Sequence, residues 1–261
     1  MNIISQVLSD KTRSNSRALV PFLTAGYPNI QTTIKALHIL DREGADIIEL
    51  GIPYADALAD GPVIQHSSQI ALQNGVHMNE ILYMLSVVKS SINTPLIIFT
   101  YYNPMLVYGI NNFIASISEL NVRGLIVPDL PLEEVDYLLD VCNNLNVELI
   151  LFVAPTSSYA RITTILSKSS GCIYLVSSTG VTGTRQYINN HINQLANYIK
   201  SKTDKNIMLG FGISSPQQVK EICRWNIDGI VIGSAVINII SKDVSLQLLS
   251  KFCKSIKSSM T

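Results

Sequence analysis

Between residues 49 and 62 the chain reads E-L-G-I-P-Y-A-D-A-L-A-D-G-P, which places Glu49, Asp56 and Asp60 in one turn-rich stretch with no Lys, Arg or His among them. Carboxyl groups gathered without a neutralising cation have a chemical use. In an apolar pocket one of them is driven to keep its proton and serves as a general acid or base, while a second stays ionised and stabilises positive charge. Glu49 closes a short apolar run and Asp60 stands in the loop behind it, so these two are the candidate catalytic pair. Plain structural roles also fit them: Asp60 as the N-cap of a helix opening at Val63, and Glu49 as a satisfied core acid.

Two later stretches suit an anion. Gly210-Phe211-Gly212 and Gly233-Ser234 each follow an apolar run, and the second opens a short apolar helix at 235–240. Glycines let backbone N–H groups approach a phosphate closely, and a helix N-terminus adds its positive end. Tight turns alone would use the same glycines, and G-x-G-x-x-G is not completed, so no dinucleotide fingerprint is present. The segment 177–185, S-S-T-G-V-T-G-T-R, is small, hydroxylated and glycine-rich; it reads either as a lid whose amides join the phosphate site or as a surface loop. Phe22, Tyr101 and Tyr174 lie on or just after apolar runs and suit the wall of a flat apolar ligand, although single aromatics also fill cores. His38, His66, His77 and His191 are scattered without metal-ligand spacing, so no metal site is expected.

The elements that must position these residues are short, β-branched runs at 18–23, 46–50, 96–100, 124–127, 148–153, 172–177, 207–210 and 229–232. They lack clean alternation, as strands buried on both faces do. Stretches with helical periodicity lie between them. Ile34, Leu37 and Leu40 form one stripe and Val135, Leu138, Leu139 and Cys142 another; Ser215-Pro216-Gln217-Gln218 is a capping-box start, and 63–89 divides into two helices near Gly75. Eight such units without a linker predict an α/β chain folded as a single (β/α)8 TIM barrel over residues 1–261, with an extra N-terminal helix through Ile3, Ile4, Val7 and Leu8. An open doubly wound sheet is the runner-up, and it lacks its early glycine-rich turn at Thr24-Ala25-Gly26-Tyr27-Pro28. In such a barrel all the candidate residues gather at the C-terminal ends of the strands.

Composition narrows the partners. The 19 acidic and 19 basic residues balance and run in no blocks, which argues against nucleic acid or anionic membrane. A charged fraction of 15% and a mean hydropathy of +0.28 leave apolar surface for a permanent partner subunit. Cys142, Cys172, Cys223 and Cys253 form no C-x-x-C pair and read as reduced thiols. No targeting peptide or membrane span is read from the chain, and its Ile, Asn, Lys and Ser bias fits an AT-rich genome. A cytoplasmic or plastid-stroma location is expected.

Taken together, P-F-L-T-A-G-Y-P (21–28), the 49–62 stretch, Y-Y-N-P (101–104), V-P-D-L-P-L-E-E (127–134), S-S-T-G-V-T-G-T (177–184), G-F-G-I-S-S-P-Q-Q-V (210–219) and G-S-A (233–235) resemble the tryptophan synthase alpha subunit family over nearly the whole chain. The resemblance implies a lyase that splits indole-3-glycerol phosphate into indole and glyceraldehyde 3-phosphate. It implies Glu49 as the acid/base and Asp60 as the partner of the indole N–H. Phe22, Tyr101 and Tyr174 would lie at the indole pocket, Gly183, Phe211, Gly212, Gly233 and Ser234 at the phosphate, and Thr182 in the lid. It implies no cofactor in this chain and a pyridoxal phosphate-bearing beta subunit as partner in an αββα heterotetramer, facing the loops that contain Asp56 and Pro104. The chain departs from the commoner S-D-P at Ala55-Asp56-Ala57, which is expected to loosen that loop. Two rivals remain. A different phosphate-binding barrel enzyme would need a catalytic lysine at a strand end, whereas Lys89 and Lys168 fall in or after helices; a purely regulatory subunit would not need the two acids.

Overall fold

The computed structural model describes residues 2–177, 190–210, 212–243 and 245–260. Among these residues nine strands run in parallel: β1 Ala18–Thr24, β2 Ile48–Gly51, β3 Leu96–Phe99, β4 Val122–Ile126, β5 Glu148–Leu149, β6 Leu151–Val153, β7 Cys172–Val176, β8 Asn206–Gly210 and β9 Gly229–Ile232. Their order is β5-β4-β3-β2-β1-β9-β8-β7-β6, with every pairing parallel. The two ends of this order are consecutive in the chain. The predicted run 148–153 is divided at Ile150: β5 pairs with β4, β6 pairs with β7, and the Ile150 N–H donates to the Leu125 carbonyl at 2.9 Å. One strand therefore changes neighbours along its length, which is the stagger that closes a parallel sheet into a tilted barrel without a free edge. The open-sheet alternative is excluded by this closure.

β1, β2, β3, β8 and β9 are buried at every position, which explains why their sequences show no polar alternation. The helices between them carry the expected apolar stripes. Leu37 and Leu40 are buried on the helix Ile30–Arg42, while Val135, Leu138, Leu139 and Cys142 are buried on Val135–Asn144. The 63–89 region holds the helices Pro62–Gln73 and Met78–Val88, separated at Gly75. Ser215 caps the helix Pro216–Ile222 together with Gln218.

The N-terminal helix Ile3–Arg13 closes the floor of the barrel, where the strands begin. Ile4 and Leu8 are fully buried there. Ser5 donates through its N–H and its Oγ to the buried Glu148 carboxylate at 3.2 and 2.6 Å. Thr12 Oγ1 donates to Asp228 at 2.7 Å, and Asn206 Nδ2 donates to the Ser5 carbonyl at 2.8 Å. Apolar burial and polar anchors from the starts of β5, β8 and β9 hold this plug, and they leave the opposite, C-terminal mouth for chemistry.

Candidate active site

The register of the strands decides which side chains meet in the mouth. Glu49 on β2 pairs with Phe22 on β1 and with Ile97 on β3, so its side chain shares the inner face with them. It is 2% exposed, and its Oε2 is buried without a hydrogen-bond partner among the described residues. A carboxyl in that position is hard to ionise. Burial first, and then the nearby Asp60 charge, push its pKa up to about 8. A carboxyl so placed can give and take a proton near neutrality, and no second hydrogen bond among the described residues ties it down as a core acid.

Asp60 reaches the same mouth from the loop between β2 and the helix Pro62–Gln73. It does not cap that helix: Gly61 occupies the N-cap position with no side-chain cap, and Pro62 opens the first turn. Its Oδ2 instead accepts the Tyr101 hydroxyl at 3.0 Å, and that hydroxyl in turn accepts the Ala59 N–H at 3.0 Å. Gln65 Nε2 donates to the Ala57 and Asp60 carbonyls at 3.1 and 3.0 Å and ties the loop across its turn at Ala57, where the commoner pattern has proline. Burial pushes Asp60 up to about 6, and the Tyr101 hydrogen bond opposes the rise. Tyr101→Phe is expected to move the Asp60 titration midpoint further upward, because the hydroxyl that favours the charged form is gone. It also leaves the Ala59 N–H unpaired, at a cost of about 1 kcal/mol. Carboxyl carbon NMR across pH 4–9 checks this, and an unmoved midpoint would show that Tyr101 does not tune Asp60.

Phe22, Glu49, Asp60, Ile64, Phe99, Tyr174, Gly212, Val231, Gly233 and Ser234 line one pocket that mixes aromatic walls with two carboxyl groups and glycine backbone. The Phe22 and Phe99 rings meet edge to face, 6.1 Å apart. Tyr174 on β7 is 2% exposed, and burial first, then Glu49 and Asp60, raise its hydroxyl pKa well above the ordinary value. Its ring lies across Gly210, where a Cβ would come within 2.1 Å of the hydroxyl oxygen and 2.5 Å of Cζ. Gly210→Ala is thus expected to drive the ring into the pocket or break the β7–β8 packing, lowering Tm by roughly 2–8 °C through overpacking of about 1–3 kcal/mol. A thermal melt with unchanged Tm would show that the ring swings aside freely.

In the same pocket, Gly233 is the N-cap of the helix Ser234–Lys242 and Ser234 its first residue. Gly212 follows β8 with a φ of +82°, a left-handed conformation that glycine adopts without strain. A helix N-terminus and a glycine bend thus line the same aromatic-walled pocket as the two acids, a combination that suits a ligand with a flat ring and an anionic group.

A family model for the tryptophan synthase alpha chain matches residues 8–259. The chain belongs to that family. It is 58% identical over 260 residues to the tryptophan synthase alpha chain of Antithamnion sp., covering 98% of both chains, and 58% identical over 263 residues to that of Gracilaria tenuistipitata var. liui, covering 100% of this chain and 97% of the relative. Among solved structures, a chain of Mycobacterium tuberculosis tryptophan synthase superposes with a TM-score of 0.93 at 29% identity, with 99% of this chain and 98% of that chain covered. A structure from Aquifex aeolicus VF5 superposes with a TM-score of 0.91 at 31% identity, covering 100% and 99%.

The site residues implied by resemblance to tryptophan synthase alpha subunits fall into four groups. Glu49, Asp60, Phe22, Tyr174, Gly212, Gly233 and Ser234 line the one pocket. Tyr101 stands behind Asp60 as its hydrogen-bond donor and is not among the lining residues. Thr182, Gly183 and Phe211 lie outside the described residues. Asp56 is exposed and Pro104 half-buried, away from the pocket. Ile64, Phe99 and Val231 join the wall without having been singled out in the sequence. Phe99 and Val231 follow from the register, Phe99 lying two residues beyond Ile97 and Val231 opposite Val20, two before Phe22. Lys89 caps a helix C-terminus, and Lys168 ends the helix Tyr159–Lys168 paired with Asp136, so neither offers a strand-end amine. No group of three or more metal-ligating side chains occurs among the described residues.

Proposed function

We infer that the chain cleaves indole-3-glycerol phosphate to indole and glyceraldehyde 3-phosphate, the alpha reaction of tryptophan synthase. The observation that carries this reading is the pair Glu49 and Asp60 on one aromatic-walled pocket, with pKa values pushed to about 8 and about 6. Between those values Glu49 keeps its proton and Asp60 is ionised. Glu49 delivers a proton to indole C3, and the ring becomes an indolenine cation whose N–H faces the Asp60 carboxylate. A carboxylate, Glu49 now being one, then removes the proton of the C3′ hydroxyl. The C3–C3′ bond breaks, its electron pair restores the indole and the aldehyde leaves. Glu49 ends protonated, as it began, so proton and electron counts close within one side chain. Gly212, Gly233 and Ser234 would hold the phosphate, and Phe22, Phe99 and Tyr174 the ring.

The free chain is therefore expected to show a bell-shaped kcat/KM profile, rising through about pH 6 as Asp60 ionises and falling through about pH 8 as Glu49 loses its proton. In Tyr101→Phe the acid limb should move upward. Release of indole from indole-3-glycerol phosphate by the purified chain tests the assignment, against carboxyphenylamino-deoxyribulose phosphate as the rival substrate; turnover of the latter alone would overturn it.

A beta subunit is the partner this reading requires, assembled as αββα and carrying the pyridoxal phosphate. The surface near Asp56 and Pro104 supports it, since Leu58 and Val107 are 84% and 82% exposed there. Red algal relatives such as Gracilaria support a plastid setting, and no helix among the described residues is long and apolar enough to cross a membrane.

A further inference from the structure

On the floor side of the barrel, remote from the mouth, Asn15, Arg17, Lys220, Cys223, Arg224, Ser255, Ser258, Ser259 and Met260 line a second cavity, with an empty volume of about 1120 Å³ and open to solvent. It lies between the helix Pro216–Ile222, the helix Gln247–Ser258 and the segment leading into β1. Three of the lining residues are cations and none is an acid. Arg17, Lys220 and Arg224 take part in no ion pair among the described residues.

We propose that this cavity binds a small multiply charged anion of the phosphate class, gripped by Arg17, Lys220 and Arg224. Lys220 lies in the last turn of the helix Pro216–Ile222 and Arg224 in the turn just after it, and like charges brought to one cavity wall repel. Arg17 adds a third positive charge that is oriented in advance: its Nη1 donates to the Ser16 carbonyl at 3.0 Å and its Nη2 to the Trp225 carbonyl at 3.4 Å, while its Nε–H is buried with no partner among the described residues. Two of the five guanidinium N–H groups are used by these bonds, and the second hydrogens of Nη1 and Nη2 remain for a ligand. Cys223 on the same wall feels Arg17 as its charged neighbour and no acid. The carbonyl ends of the two helices offset part of this charge, but each supplies only about half an elementary charge against three full ones. A phosphate-type anion removes the surplus and matches the planar fork of the arginines. Because Arg17 immediately precedes β1, the site sits at the strand starts and is separate from Gly212, Gly233 and Ser234 at the strand ends.

The test is a calorimetric titration of the full chain at constant ionic strength, with inorganic phosphate in one arm and glycerol 3-phosphate in the other. The proposal expects wild type to take up two equivalents, one at the mouth and one at the floor. Lys220→Gln/Arg224→Gln should take up one, with at least a tenfold loss of affinity for the equivalent removed and unchanged indole release. The arm that binds more tightly at the floor names the source as free phosphate or a phosphorylated metabolite. Both side chains are exposed, and the single Lys220→Gln keeps the readout if the double variant folds poorly. Equal stoichiometry and affinity in wild type and variant would overturn the proposal, whatever the mouth takes up.

Discussion

Glu49→Gln is expected to lower indole release by about 10³-fold while leaving the barrel folded, the scale that general acid–base catalysis contributes. The amide keeps the size of the side chain and neither gives nor takes a proton. The same substitution should stabilise the chain in alkaline solution. Glu49 has a folded-state pKa of about 8 against an ordinary 4.5, so the folded chain binds this proton more tightly than the unfolded chain does. The sign follows: stability falls as pH rises from about 4.5 and the loss is complete above about 8, at roughly 1.4 kcal/mol per pH unit crossed. Gln removes the dependence. The Tm advantage of Glu49→Gln should be near zero at pH 4.5 and reach several degrees by pH 8.5, measured by calorimetry beside the indole assay. Wild-type turnover in the variant would remove Glu49 from the mechanism. A variant less stable than wild type at pH 8.5 would show that the ionised carboxylate makes a stabilising contact that the amide loses.

The second large effect is at Asp60. Asp60→Asn is expected to cut kcat/KM by about 10²–10³-fold, the range found when one preorganised electrostatic partner of a transition state is lost. It keeps the shape, and its side-chain oxygen still accepts the Tyr101 hydroxyl, but it no longer balances the indolenine charge. Removing the Asp60 charge also relieves Glu49, so the alkaline limb of the pH profile should move downward. A substrate methylated on the ring nitrogen separates this role from simple positioning. The methylated ring still becomes a cation, so a gap between wild type and Asp60→Asn should persist, and convergence of the two rates would reduce Asp60 to an acceptor for the N–H.

Much of the barrel was legible because a buried parallel strand and an amphipathic helix leave different apolar periods, and the eight runs lie where strands are found. The division at Ile150 was not, since a change of hydrogen-bonding neighbour leaves no mark on local composition. Glu49 stood out because a lone acid at the end of an apolar run has no cheap structural use. Tyr101 was read as a wall of the indole pocket on residue type. The helix Tyr102–Tyr108 begins immediately after it, and its hydroxyl meets Asp60 and Ala59. Phe99 and Val231 look like any core residue until the pairing partners of Glu49 and Phe22 are known and the strands are counted in twos.

The floor helix also bears on how the chain is made. Its anchors at Glu148, Asn206 and Asp228 lie 143, 201 and 216 residues downstream of the residues that bond them. An emerging polypeptide therefore carries Ile4 and Leu8 exposed until nearly all of the barrel has left the ribosome. The element synthesised earliest of those described docks only when β9 arrives, which makes the last ring-closing strand the one that shelters the first apolar residues.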